Sequence, residues 1–190
     1  MKSIKRRGFT LVELLIVIVV IGVLAAMMML SSTEAVSSAK ANNVISNLRN
    51  IKTAVLSWYA DNLDRVDQNG NIALKDNPTD KKTLTNYIDD GTANAGEFLA
   101  YLNNDSSIKL TNNDKSKEGG YILAIGSKGD NNVKAKKWYV GYNAGNNTDV
   151  QAKLAARASS IGLTGGADKG NVEDAYTGGK LVYMLILSLE

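Results

Sequence analysis

The sequence predicts an α+β chain in which a long N-terminal helix, its first half suited to a membrane, packs along its second half on a small antiparallel sheet. Three observations predict it. An unbroken apolar run of 17 residues, Leu14 to Leu30, sits close behind the N-terminus. Apolar residues then recur at spacings of three and four as far as Tyr59, and no Pro or Gly falls between Val23 and Leu63. Beyond Leu63 the chain turns Asn-, Asp- and Gly-rich and carries short apolar runs of strand length.

The first segment reads as a membrane span. Its apolar run is at the short end of the roughly 17–25 residues that cross a bilayer as a helix, and Phe9 to Val12 lengthen it. Residues 9–32 are therefore expected to span. The run exceeds the roughly 7–15 apolar residues of a secretory signal, and Ala25-Ala26 leads into Met27-Met28-Met29 instead of a polar mature start. Lys2, Lys5, Arg6 and Arg7 precede it, so the positive-inside rule puts the tip in the cytoplasm and the rest of the chain outside.

Glu13 stands out in this segment. A carboxylate in an apolar span is costly to insert and marks a functional site by default. Were the chain cut after Gly8, Phe9 would carry a free ammonium group four residues before Glu13, one helical turn away. The carboxylate could then meet its own terminus or that of a packed neighbour. Helices in lipid associate through packing and polar pairing, because lipid is as apolar as Leu.

The helix continues past the membrane. Val36, Ala39, Ala41, Val44, Ile45, Leu48, Ile51, Val55, Trp58 and Tyr59 form one apolar stripe, with Ser37, Lys40, Asn43, Asn47, Arg49, Asn50 and Lys52 on the other face. One helix over residues 9–62 would be roughly 80 Å long at about 1.5 Å per residue. Its second half needs a cover, which residues 63–190 must supply.

Within that head, Asn77-Pro78 reads as a helix start running to about Ile88. Residues 95–102 read as a short helical piece, and 121–125 and 136–142 as strands, with Trp138, Val140 and Tyr142 on one side of the second. Thr148 and Gln151 fit a capping box before a helix over 152–161. Residues 181–189 form a continuous apolar run, a covered strand.

Composition narrows the chemistry. The 190 residues include no Cys and no His, which excludes disulfides, thiolate catalysis and most zinc sites and hydrolase triads. The net charge is +3, yet outside the basic tip 18 cations face 19 acids, so the balance does not argue for a nucleic-acid-binding surface. No spacing brings a nucleophile to a base, and no enzyme is expected. Trp58, Tyr59 and Trp138 read as core.

Lys5-Arg6-Arg7-Gly8 followed by Phe9-Thr10-Leu11-Val12-Glu13 and the Leu/Ile/Val run resembles the leader and N-terminal helix of type IV pilins and type II secretion pseudopilins. The resemblance covers about the first 35 residues. It implies a pilin-like fold, removal of residues 1–8 by a membrane prepilin peptidase, N-methylation of Phe9, and filament register set by Glu13 against a neighbour's terminus. Two departures leave surface pilin and secretion pseudopilin open. Leu30 stands where major surface pilins often carry Pro, and a chain without Cys has no C-terminal disulfide.

Three further motifs are weighed. Gly178-Gly179-Lys180 ends like a phosphate-binding loop, but Asp174 stands at its first Gly and Leu181 at its Ser/Thr, so it is not one. Asp168, Asn171, Glu173 and Asp174 could supply part of the six to eight oxygens that calcium takes. The resemblance to pseudopilins with a calcium loop points the same way, while Lys169 and the turn-forming habit of such residues point against it. No other cofactor is expected. Lys134, Lys136 and Lys137 beside Trp138 and Tyr139 could face nucleic acid, but lysines also guard exposed strand edges.

The expected function is that of a structural subunit of a type IV pilus-like filament. Its expected partners are copies of itself, prepilin peptidase, the inner-membrane assembly machinery and the membrane, with no nucleic acid. It would sit once across the bacterial cytoplasmic membrane, then enter a periplasmic or cell-surface filament. A secretion pseudopilin and a monomeric anchored binding module are the alternatives.

Overall fold

The computed structural model describes residues 9–89, 97, 100–101, 110, 115–126, 137–166, 172 and 174–189. It has the expected α+β architecture. A single helix, α1 (Leu11–Asp61), runs 51 residues without a break. Its buried positions in the head are Ala41, Val44, Ile45, Leu48, Ile51, Ala54, Val55 and Trp58, the i, i+3, i+4 stripe of an amphipathic helix. Every residue from 9 to 29 is exposed instead. The helix ends at Asn62, whose backbone N–H donates to the Tyr59 carbonyl and whose side-chain amide donates to the Trp58 carbonyl at 2.9 Å.

A 3-10 turn (Leu63–Arg65) leads into a two-stranded antiparallel hairpin, β1 (Asn71–Ala73) and β2 (Lys81–Thr83), in which Ile72 faces Lys82. This corrects the helix expected from Asn77-Pro78. Asn77 to Asp80 instead form a turn closed by the Asp80 N–H on the Asn77 carbonyl, and helix begins only at α2 (Leu84–Asp89). Proline at a first helical position and proline in a tight turn look alike in sequence, and here strand pairing decides between them. Within the short helical piece expected at 95–102, Glu97 and Ala100 are helical and Tyr101 is in a turn; the other positions lie outside the described residues.

The main sheet holds β3 (Tyr121–Ile125), β4 (Lys137–Asn143), β5 (Leu163–Gly166) and β6 (Leu181–Ser188), all antiparallel, in the order β3-β4-β6-β5. Helix α3 (Thr148–Ile161) precedes β5. Its cap corrects the expected capping box by one residue. Asn147 is the N-cap, with its side-chain oxygen accepting from the Val150 N–H at 3.0 Å. Strand β5 was not expected at all, since two of its four residues are glycines.

One face of the sheet presents Tyr121, Leu123, Trp138, Val140, Val182, Met184 and Ile186 to α1, α2 and α3 in the main core. The opposite face buries Ile122, Ala124, Tyr139, Leu181 and Tyr183, with Val172 packed on it. Trp58, Tyr87 and Trp138 are fully buried. Tyr59 meets Trp138 edge-on with ring centroids 5.8 Å apart.

Candidate assembly site at the N-terminal turn

The start of α1 is built by a capping box. Thr10 is extended at φ −78° and ψ 150°, the geometry of an N-cap. Its hydroxyl oxygen accepts from the Glu13 N–H at 3.2 Å, and Glu13 Oε2 accepts from both the Thr10 N–H and the Thr10 hydroxyl, each at 2.8 Å. Two backbone donors that the helix itself leaves unpaired are thereby satisfied. The carboxylate also sits in the first turn, where the helix dipole favours negative charge. Sequence reasoning noted that Glu13 could reach its own terminus but missed this box. The Thr-x-x-Glu spacing before an apolar run is the signal that finds it.

The structure therefore holds Glu13 at the bare end of a long apolar rod. Phe9, just before the cap, is 87% exposed. From Leu11 to Met29 the surface is Leu, Val, Ile, Ala, Met and Gly on every side apart from Glu13. Such a helix is stable only in lipid or among other apolar helices, and it is long and apolar enough to cross a membrane. Gly8 and the leader cations Lys2, Lys5, Arg6 and Arg7 lie outside the described residues.

Where the rod meets the head, α3 ties back to α1. Lys153 Nζ lies 2.7 Å from Glu34 Oε1, and Arg157 donates to the Asn42 side chain. The Lys153 hydrogen bond and charge hold the Glu34 carboxyl below its usual range. At the far end of α1, Arg65 anchors the helix terminus. Its guanidinium reaches Glu97 at 3.0 Å, Asn62 at 2.9 Å, the Tyr87 hydroxyl at 2.7 Å and the Ala73 carbonyl at 3.1 and 3.2 Å, over the Trp58 ring. Trp58 and Tyr87 also donate to Glu97 Oε2, at 3.2 and 2.9 Å. Sequence reasoning found none of this, because Arg65 and Glu97 stand 32 residues apart.

The remaining candidates fall elsewhere. Asp168, Asn171 and Glu173 lie outside the described residues. Asp174 is exposed, and its carbonyl accepts from the Gly165 N–H at 2.8 Å, closing β5. Lys134 and Lys136 lie outside the described residues as well, while Trp138 and Tyr139 are buried and offer no ring for stacking on a base. Gly179 accepts from the Tyr176 hydroxyl at 2.8 Å in the turn before β6.

These features define a class: a chain with an apolar N-terminal helix that fits membrane anchoring, carrying an α+β head. The prokaryotic N-terminal methylation motif matches residues 4–29, the signature of type IV pilins and pseudopilins. The chain is thus pilin- or pseudopilin-like over its N-terminal segment. No curated protein and no solved structure matches it.

Proposed function

We propose that this chain is a structural subunit of a type IV pilus-like filament, stored in the cytoplasmic membrane and polymerised through its N-terminal helix. The observation that carries this reading is the asymmetry of α1. It is one continuous helix, clothed by its own head from Ala41 to Trp58 and bare from Leu11 to Met29. A bare apolar helix fused rigidly to a folded head can pass from lipid to a bundle of like helices without refolding the head. The apolar surface stays out of water in both places.

In this mechanism a prepilin peptidase removes residues 1–8, and the new Phe9 terminus is methylated. Glu13, turned toward that terminus by its box with Thr10, pairs with the ammonium group of an adjoining subunit and sets register. Packing of Val, Ile and Leu provides cohesion, and the single buried charge pair specifies position.

The test is the intact mass of the protein in filaments sheared from cells, against the protein left in membranes. A sheared species beginning at methylated Phe9 is expected. A processed species confined to membranes would point to a secretion pseudopilin or a minor initiating subunit. A chain beginning at Met1 in both fractions would overturn the filament reading and leave a simple anchor.

A further inference from the structure

We infer that Met27, Met28 and Met29 form an oxidant-sensitive collar that lets the subunit assemble only while its thioethers are reduced. The inference rests on the filament reading above and adds a modification site and a regulation to it.

The collar follows from helix geometry. Successive residues of an α-helix are about 100° apart, so three in a row spread over about 200° of the circumference at nearly one level. A neighbouring helix packed on any of these sides meets a methionine at that level. The three side chains are 65%, 74% and 78% exposed. Their depth is set by the rest of α1. Met29 is 18 residues beyond Leu11, roughly 27 Å at about 1.5 Å per residue, close to the thickness of about 30 Å of a hydrocarbon core. With the basic tip in the cytoplasm, the collar lies at the outer rim of the membrane, where oxidants arriving from outside reach it first.

The sulfur inventory singles out this site. The chain has no Cys, so its five methionines carry all of its sulfur. Met1 precedes the proposed cut, and Met184 is buried against α1 in the head core at 5% exposure. The collar therefore holds every exposed sulfur among the described residues of the chain.

The chemistry is a two-electron oxidation, with hypochlorous acid as oxidant. An S–O bond forms, the O–Cl bond breaks, the thioether becomes a sulfoxide, and chloride and a proton leave. The product is polar and chiral in place of flexible and apolar. In lipid the collar sits close enough to the headgroups for the S=O to find water. Between the Val, Ile and Leu side chains of adjoining helices it finds no donor, so oxidation disfavours assembly and leaves anchoring intact. Subunits already in a filament shield their collars from the oxidant.

The experiment treats cells carrying both filaments and membrane-stored protein with hypochlorous acid, maps sulfoxide by peptide mass in each fraction, then follows new assembly. Sulfoxide at 27–29 in the membrane pool, little at Met184, little in filaments, and a loss of new filaments of roughly tenfold or more are expected. A chain carrying Met27→Leu, Met28→Leu and Met29→Leu should assemble and resist the oxidant. Restoring wild-type assembly with a methionine sulfoxide reductase gives the same answer should that chain assemble poorly. Equal oxidation of Met184 and the collar would overturn the inference, as would assembly unaffected by collar sulfoxide or inhibition that the reductase does not reverse. Untreated cells without any filament would instead sink the filament reading, with the membrane-pool oxidation map still readable on its own.

Discussion

Glu13 Oε2 lies 2.8 Å from both the backbone nitrogen and the hydroxyl of Thr10, so the carboxylate proposed to meet a neighbouring subunit is already oriented by its own chain. The box occupies one oxygen and leaves Oε1 for a second donor. The same contact that starts the helix thus presents the charge at a fixed height on the rod. Orientation and pairing are separable by mutation.

Glu13→Ala should be exported and cleaved as the wild type is, while filament yield falls on the order of tenfold or more, because the carboxylate's half of the capping box and the charge are both lost. Glu13→Gln keeps an oxygen for the Thr10 donors and loses only the charge, and it should assemble as poorly. Quantifying sheared filaments against total processed protein checks both. Wild-type yield from Glu13→Ala would remove Glu13 from register; wild-type yield from Glu13→Gln alone would reduce its role to capping.

The proposed cut after Gly8 has its own test. Gly8→Asp places a side chain and a charge at the bond the peptidase must enter, and the full-length precursor should accumulate in membranes with no filaments. The readout is the mass of the membrane protein. A chain still trimmed to Phe9 would refute the cut site without touching the argument about Glu13.

The Arg65 cluster predicts how head stability depends on pH. Burial pushes the Glu97 carboxyl up, but hydrogen bonds from Arg65, Tyr87 and Trp58 outweigh it and hold the pKa below the ordinary 4.5. A carboxylate more acidic folded than unfolded adds stability above its ordinary pKa, and that contribution fades as pH falls through 4.5 and on through the folded value. Tyr87 has the opposite sign. Burial, then Glu97, raises its pKa from 10.0 to about 12, so its contribution is whole below pH 10 and lost between 10 and about 12. Burial lifts Tyr176 and Tyr183 to about 12 too, reinforcing the alkaline limb. Thermal melts of the full chain in detergent should therefore show a plateau between two falling limbs. Glu97→Gln should lower stability at neutral pH by about 1–3 kcal/mol, because Arg65 keeps its burial and loses its counter-charge, and should flatten the acid limb. An acid limb unchanged in that variant would show that other carboxylates set it.

What could be read in advance follows from the range of the interactions. The long helix and the strands at 121–125, 137–143 and 181–188 rest on periodicity or unbroken apolar runs, which the chain displays locally. The β1–β2 hairpin does not. Lys81-Lys82-Thr83 has no strand pattern of its own and is extended because it pairs with Asn71 to Ala73. Strand β5 ends in Gly165-Gly166, which reads as a turn until β6 is laid beside it. At the candidate site, Glu13 announced itself by being charged among apolar residues. The Arg65–Glu97 pair and the Lys153–Glu34 tie join segments far apart in sequence, and only the folded chain brings them together.

Gly141 and Tyr183 offer the sharpest test of the sheet itself. They are cross-strand partners on β4 and β6, and the tyrosine ring lies over the glycine. A Cβ on Gly141 would sit 2.5 Å from Tyr183 Cδ1 and Cε1 and 2.9 Å from Ile122 Cγ1, distances that real side chains do not tolerate. Tyr183 is 2% exposed, and Gly165 on β5 closes on its other edge, with a Cβ there 2.8 Å from Cδ2. The ring is pinned between two glycines and cannot swing aside. Gly141→Ala should destabilise the head by about 1–3 kcal/mol, the usual cost of overpacking a filled core. Tyr183→Leu alone should cost a similar amount by leaving a cavity. The pair together should cost less than the sum, because the smaller side chain makes room for the new methyl. Denaturant unfolding of the three variants measures the coupling. Strict additivity would mean the ring does not rest on Gly141, and the register of β4 against β6 would have to be redrawn.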